Sequence, residues 1–281
     1  MKDNIEKGKN IKVRVFNVVL QPADKHKEVN YVALIEKVFN SGNTYCTSTD
    51  KNTKMRSLSK MEHMIYGTLV NFTVIKEGTQ WYDTEKDSFK ELPVDPSLNP
   101  NAKEWDFYFD TEHHRIAVPS KRGVSYSQVY QFFNKAFTEA SEALGFDDVT
   151  VSSITSNEGI EQIFELDEID TLTIEVSYSN NDNNNLWEKA IDDQLKETGA
   201  GRMKTTVKAP KNGKMYLKDN SFLGGMVKLS QNNGSAKAEG KKAGKVTKVN
   251  TDNYPKEVKM TKVTEANIFT KIKAAIQSVL N

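Results

Sequence analysis

The spacing of apolar residues in the first part of the chain predicts strands alternating with a helix. A nearly continuous apolar run predicts a buried strand over residues 11–20, and apolar residues three and four positions apart predict a helix over 29–39. Residues 54–58 and 64–75 predict a pair of strands, the second rich in β-branched side chains and interrupted at Gly67. The chain therefore opens with both kinds of element.

The pattern after residue 80 continues this mixture. Closely spaced prolines indicate an extended loop over 82–103. Two short strands, 105–110 and 115–118, flank a polar turn and predict a hairpin. An amphipathic pattern predicts a helix over 125–144, and a strand–helix–strand order follows over 149–178.

A run of polar residues marks the best candidate for a domain boundary. Segment 180–185 is rich in asparagine and can bury almost nothing. We therefore predict an N-terminal α/β-rich domain, 1–179, and a basic C-terminal α+β domain, 186–281, joined by this linker. The C-terminal part has helical patterns near 186–198, 218–231 and 265–280, and strand patterns near 203–209, 236–239, 245–249 and 258–263. The expected fold class is α+β, with mixed or antiparallel sheets, packed helices and a basic C-terminal region.

Charge is unevenly distributed along the chain, although the formal net charge is only +1. Residues 201–281 contain 17 Lys and Arg against 5 Asp and Glu, whereas residues 77–200 contain 9 against 26. A basic C-terminal third predicts attraction to a polyanion, and nucleic acid is the first candidate. Because lysine far outnumbers arginine there, we expect phosphate contact that is independent of sequence and sensitive to salt.

The basic residues fall where a strand and its neighbouring turns would display them. Period-two alternation places the cations of 202–208 on one face of the predicted strand, and glycine-punctuated connections add more. The predicted nucleic-acid-binding residues are Arg202, Lys204, Lys208, Lys211, Lys214, Lys241, Lys242 and Lys245. In a second interpretation, these cations form an ordinary solvated surface or pair with the acidic middle region. In a third, the acidic and basic regions dock against each other in a homo-oligomer, or against a partner protein.

Carboxylates and imidazoles gather around the predicted hairpin of 105–118. Such side chains can bind a divalent metal, but their spacing matches no standard site, so no metal is expected. The residues are Asp106, Asp110, Glu112, His113 and His114. An alternative hypothesis is a metal-dependent nuclease centred on Asp106 and Asp110, or on Asp167, Asp170 and Glu175.

Nothing else in the sequence points to catalysis. The glycine-rich segment 198–202 lacks the Gly-Lys-Ser/Thr ending of a phosphate loop, so we expect no cofactor and a binding protein more than an enzyme. No apolar run reaches the length of a membrane span, and the N-terminus has no signal-peptide core. The single cysteine, Cys46, fits a reducing compartment, and the expected location is cytoplasmic.

Several segments resemble an uncharacterised bacterial family of unknown function. They are segment 65–69, the triplet Trp81-Tyr82-Asp83, the proline loop through Asn99-Pro100 and the hairpin of 107–116. More remotely, the order of elements and the basic C-terminal half resemble RexA-type phage-exclusion proteins. That resemblance implies a homodimer that binds double-stranded DNA without sequence preference, in an anti-phage defence system that can include a partner protein. It implies no catalytic residue.

Overall fold

The computed structural model of the protein describes residues 8–21, 28–93, 95–123, 125–146, 148–177, 186–211 and 213–280. The strands are β1 (Lys9–Gln21), β2 (Thr44–Ser48), β3 (Lys51–Met61), β4 (Met64–Thr73), β5 (Gln80–Asp83), β6 (Ser88–Glu91), β7 (Lys103–Asp110), β8 (Arg115–Pro119), β9 (Asp148–Ser153), β10 (Glu168–Ser177), β11 (Arg202–Lys208), β12 (Gly234–Lys242), β13 (Lys245–Asn250) and β14 (Glu257–Val263). The helices are α1 (Glu28–Ser41), α2 (Tyr126–Ala143), α3 (Asn157–Phe164), α4 (Leu186–Thr198), α5 (Phe222–Asn233) and α6 (Ile268–Leu280).

The largest element is an eight-stranded sheet with the order β14-β1-β8-β7-β4-β3-β2, in which β9 also pairs with β1. All of its described strand pairs are antiparallel. One edge of β1 pairs with β14 over residues 9–14 and then with β9 over 16–21, while the opposite edge pairs with β8. β1 therefore connects the C-terminal strand to the middle of the chain.

Alternation along β1 separates two apolar layers on the two faces of this sheet. Phe16 and Val18 pack with buried residues of α1 and α2 on one face. Val13 and Val15 pack with buried residues of α6 on the other face. Each buried side chain of this size contributes about 1.5–3 kcal/mol, so these layers account for much of the stability of the large sheet.

A second, four-stranded antiparallel sheet has the order β11-β10-β12-β13. Leu172, Ile174 and Val176 of β10 point to one face, where they pack with apolar residues of α3, α4 and α5. The residues between them lie on the opposite face, the open face, which carries the polar side chains of the sheet. The open face contains Arg202, Lys204, Lys208 and Lys241, whereas Lys242 and Lys245 pair with each other in the β12–β13 ladder on the side that the helices cover.

The structure confirms the predicted α+β class and most of the predicted elements, including the hairpin of β7 and β8. Two details differ. β4 continues through Gly67 without a break. A Cβ at this position would lie 2.3 Å from the Ser57 carbonyl oxygen and 2.8 Å from the Phe107 ring, so no larger residue fits there. Glycine therefore keeps the strand intact beneath a packed aromatic ring. The predicted loop over 82–103 also contains part of a small hairpin formed by β5 and β6.

The predicted linker, 180–185, lies outside the described residues, so the domain division stays a prediction. Within the described part of the chain, β14 pairs with β1 and α6 packs on the large sheet, so both ends of the chain contribute to that sheet. None of the helices in the described ranges is long and apolar enough to cross a membrane.

Candidate nucleic-acid interface

Strand β11 lies at the edge of the four-stranded sheet and presents alternate residues to solvent. Arg202, Lys204 and Lys208 are exposed, whereas Met203 and Val207 are partly buried on the opposite face. The predicted alternation is confirmed. Because a strand rises about 3.4 Å per residue, Arg202 and Lys204 are about 6.8 Å apart along the edge, and Lys204 and Lys208 are about 13.6 Å apart.

The register of the sheet brings carboxylates beside several of the predicted cations. The carboxylate of Glu168 accepts a hydrogen bond from Lys214 and lies 3.6 Å from Lys241, and these contacts lower the pKa of Glu168. Four predicted cations are in ion pairs: Arg202 with Glu175 at 2.8 Å, Lys242 with Glu165 at 2.6 Å, and Lys214 and Lys241 with Glu168. These four of the eight predicted cations therefore pair with carboxylates of the acidic middle region, as the second interpretation of the sequence expected.

The other four predicted cations are Lys204, Lys208, Lys211 and Lys245, and all four are exposed. Within the described ranges, none of them has a carboxylate at ion-pair distance. Three of these lysines belong to β11 or the turn that follows it. The edge of the sheet at β11 is therefore its least neutralised part.

Two further lysines share the open face. Lys237 of β12 lies opposite Thr173 in the ladder, and its ammonium is 3.9 Å from a carboxylate oxygen of Asp252. Lys248 of β13 donates a hydrogen bond of 2.8 Å to Glu239 on the neighbouring strand. Both lysines are exposed, so they add positive charge beyond the predicted set.

A cleft of about 350 Å³ lies at the end of the open face, where the two sheets meet. Arg202 lines it from the small sheet and Arg14 from β1. The Arg14 guanidinium lies 4.1 Å from the centre of the Tyr126 ring and donates to Glu257 at 3.2 Å. Tyr130 forms part of the wall, and burial raises its pKa while the charge of Arg202 opposes that rise.

Sequence reasoning did not select Arg14, because it lies far from the basic third of the chain. In the sequence, the one relevant feature is that Arg14 lies between the apolar residues Val13 and Val15 of β1. Its approach to Arg202 results from the packing of the two sheets, and no local pattern contains that information.

The structure brings together three of the five residues considered for metal binding. Donor atoms of Asp110, Glu112 and His113 all lie within 4.8 Å of one another. Asp106 is exposed and outside this group, and His114 stacks at 3.8 Å on a buried tyrosine ring. The turn between β7 and β8 therefore contains a compact mixed cluster that its spacing alone did not identify.

The second acidic set of the nuclease hypothesis is arranged differently. Glu175 is bound to Arg202, and the Asp167 carboxylate accepts a hydrogen bond of 2.6 Å from the backbone N–H of Ala243. Across the described residues, no group of three metal-ligating side chains forms around Asp167, Asp170 and Glu175. Glu175 instead forms an ion pair within the small sheet, and Asp167 accepts a backbone hydrogen bond from the turn between β12 and β13.

Comparison with known proteins gives one match. A search of the curated proteins found no similar protein. The model of a family described as a domain of unknown function, DUF4747, matches residues 9–279. This match covers nearly the whole chain, including both sheets and the cleft between them, and the protein therefore belongs to the DUF4747 family.

Proposed function

We propose that the protein binds the phosphate backbone of nucleic acid, with double-stranded DNA favoured, along the open face of the four-stranded sheet. The observation that carries the proposal is the row of exposed cations on β11 and its following turn. Lys204, Lys208 and Lys211 in this row have no carboxylate at ion-pair distance among the described residues. Uncompensated lysines on an exposed strand suit phosphate contact without base reading.

The ion-paired cations of the face can join this contact. Exposed pairs such as Lys248 with Glu239 are worth only about 0–1 kcal/mol, so a phosphate can replace the carboxylate at little cost. No aromatic side chain is among the outward residues of β10, β11 and β12, which disfavours base stacking as the main mode. The expected complex is therefore electrostatic and independent of sequence.

The wider setting of the proposal rests on resemblance. The order of elements and the basic C-terminal half resemble RexA-type phage-exclusion proteins, and on that basis we include a homodimer and a role in anti-phage defence. A dimer would align two basic faces along one duplex and increase affinity without new contacts.

The proposal is tested by fluorescence anisotropy on random-sequence duplex DNA, duplex RNA and single-stranded DNA. Replacing Lys204 and Lys208 by Glu should weaken duplex DNA binding by at least about tenfold, since two phosphate contacts become repulsive. The control variant carries Lys37→Glu and Lys76→Glu, which make the same change in net charge at exposed positions outside the small sheet. Equal weakening by both variants, or by neither, would contradict the assigned face. The lysines of β11 would then serve to keep an edge strand from pairing with other chains.

A second candidate function is self-association through the hairpin of β5 and β6. Tyr82 and Phe89 stand opposite each other on this hairpin and are 52% and 72% exposed, with carboxylates of Asp83, Asp87 and Glu91 around them. An exposed aromatic pair within an acidic segment suits a basic partner surface such as the small sheet of a second copy. Light scattering on the wild type and on Phe89→Ser tests this candidate. A dimer that becomes a monomer in the variant supports it, and an unchanged mass contradicts it.

A further inference from the structure

We infer that the two adjoining turns of the large sheet form a binding site for one divalent transition-metal ion. The turn between β3 and β4 supplies His63, and the turn between β7 and β8 supplies Asp110, Glu112 and His113. Two imidazoles and two carboxylates make up the donor set. This inference is independent of the proposed nucleic-acid contact, which uses the other sheet.

The donor atoms are already close to coordinating positions. The three donors of the β7–β8 turn lie within 4.8 Å of one another, and His63 Nδ1 lies 3.5 Å from Glu112 Oε1. Metal–ligand bonds of about 2.0–2.2 Å require donors separated by roughly 3–4.3 Å, so small side-chain rotations are enough for the three donors of the β7–β8 turn, and His63 completes the set from beside Glu112. His63, Glu112 and His113 are partly or well exposed and can make these rotations.

The backbone of the two turns is held in place independently of a metal. The carbonyl oxygen of His63 accepts hydrogen bonds from the Thr111 N–H at 2.9 Å and the Thr111 hydroxyl at 3.0 Å. Asp110 is buried, and its Oδ1 accepts the backbone N–H groups of Glu112 and His113 at 2.9 and 3.0 Å. Its other oxygen, Oδ2, lies 2.9 Å from His113 Nδ1, so these two donor atoms already face each other.

A cavity beside the cluster gives solvent access to the donor atoms. Its volume is about 620 Å³, and it lies between these turns and α6. His63, Asp110 and Glu112 line one side, and Phe269 and Lys273 of α6 line the other. A metal ion can therefore reach the donor cluster from solvent through this cavity.

The donor chemistry selects the class of metal. Two imidazole nitrogens favour Zn²⁺, Ni²⁺ or Cu²⁺ over Mn²⁺, Mg²⁺ and Ca²⁺, which prefer oxygen donors. With four protein donors, a Zn²⁺ or Co²⁺ ion is expected to be tetrahedral.

Isothermal titration calorimetry of the untagged full chain with Zn²⁺, Mn²⁺ and Mg²⁺ tests the site. We expect one Zn²⁺ per chain, weaker Mn²⁺ binding, no Mg²⁺ binding at the same concentration, and visible d–d absorption of a tetrahedral Co²⁺ complex. His63→Ala and Glu112→Gln should each weaken Zn²⁺ binding by at least about tenfold. Both residues are exposed, so these variants keep the fold, which circular dichroism verifies.

Asp106→Asn is the matched control, because Asp106 is an exposed carboxylate on β7 outside the cluster. Its Zn²⁺ affinity should equal that of the wild type. Absence of stoichiometric Zn²⁺ binding in the wild type would overturn the inference. Equal losses in Asp106→Asn and Glu112→Gln would also overturn it, since they would indicate diffuse binding to acidic surface.

Discussion

Asn17 joins the two sheets, and removing its side chain should destabilise the whole protein. It is fully buried in β1 and donates from Nδ2 to Asn233 Oδ1 at 2.6 Å and to the Asn232 carbonyl at 3.2 Å, both at the end of α5. Its Oδ1 accepts a hydrogen bond from the buried guanidinium of Arg115. The side chain thus ties the large sheet to the helix that supports the small one.

Asn17→Ala removes the hydrogen bonds that the Asn17 side chain makes to Asn233, to the Asn232 carbonyl and to Arg115. Each buried polar group left unpaired costs about 1–3 kcal/mol. Water that enters the vacated space satisfies some of these groups, so we expect the free energy of unfolding to fall by about 3 kcal/mol. For a chain of this size, that loss lowers Tm by roughly 6–12 °C. Chemical denaturation with circular dichroism measures the free energy of unfolding directly.

A double-mutant cycle with Asn233→Ala separates the hydrogen bond from the lost volume. The coupling between Asn17 and Asn233 should be at least about 1 kcal/mol, because either single variant removes their shared hydrogen bond and the double variant loses it only once. A loss below about 0.5 kcal/mol for Asn17→Ala, or strictly additive single variants, would refute this reasoning.

Two other predictions concern the large sheet. Gly67→Ala should lower the free energy of unfolding by about 1–3 kcal/mol in urea denaturation, because its Cβ would lie 2.3 Å from the Ser57 carbonyl oxygen; an unchanged midpoint would contradict this packing. Hydrogen bonds from Lys12 and then Arg14 lower the pKa of Glu257 from its ordinary value of 4.5, so its stabilisation is present above that pH and is lost as pH falls through the lowered value. Glu257→Gln should therefore be less stable than the wild type at pH 7, by about 1 kcal/mol or less, and the difference should shrink in acid; a difference that grows in acid would reverse the sign of this argument.

Local periodicity was sufficient to predict most of the elements and their buried faces, but not β2 or the hairpin of β5 and β6. The apolar positions of α2, including Val129, Phe133 and Phe137, follow the helical repeat and are all buried. The alternation of β11 correctly placed Arg202 and Lys204 on the exposed face. These predictions succeed because side-chain direction within one element depends only on its own repeat.

Pairings between distant elements could not be predicted in this way. Glu168 lies beside Lys241 because β10 pairs with β12, and Arg14 meets Glu257 because β1 pairs with β14. Periodicity sets which way a side chain points and carries no information about its partner strand. The ion pairs that neutralise half of the predicted cations, and the cleft at Arg14, therefore became apparent only with the sheet register.

The salt dependence of duplex DNA binding tests the central claim most directly. With Lys204, Lys208 and Lys211 each contacting a phosphate, the slope of log K against log salt should be about −2.7, because each contact contributes roughly −0.9. Titrations at several salt concentrations, on two duplexes of unrelated sequence, should give this slope and equal affinities. Absence of binding at low salt, or a slope near zero, would contradict the assignment of the open sheet face as a phosphate-binding surface.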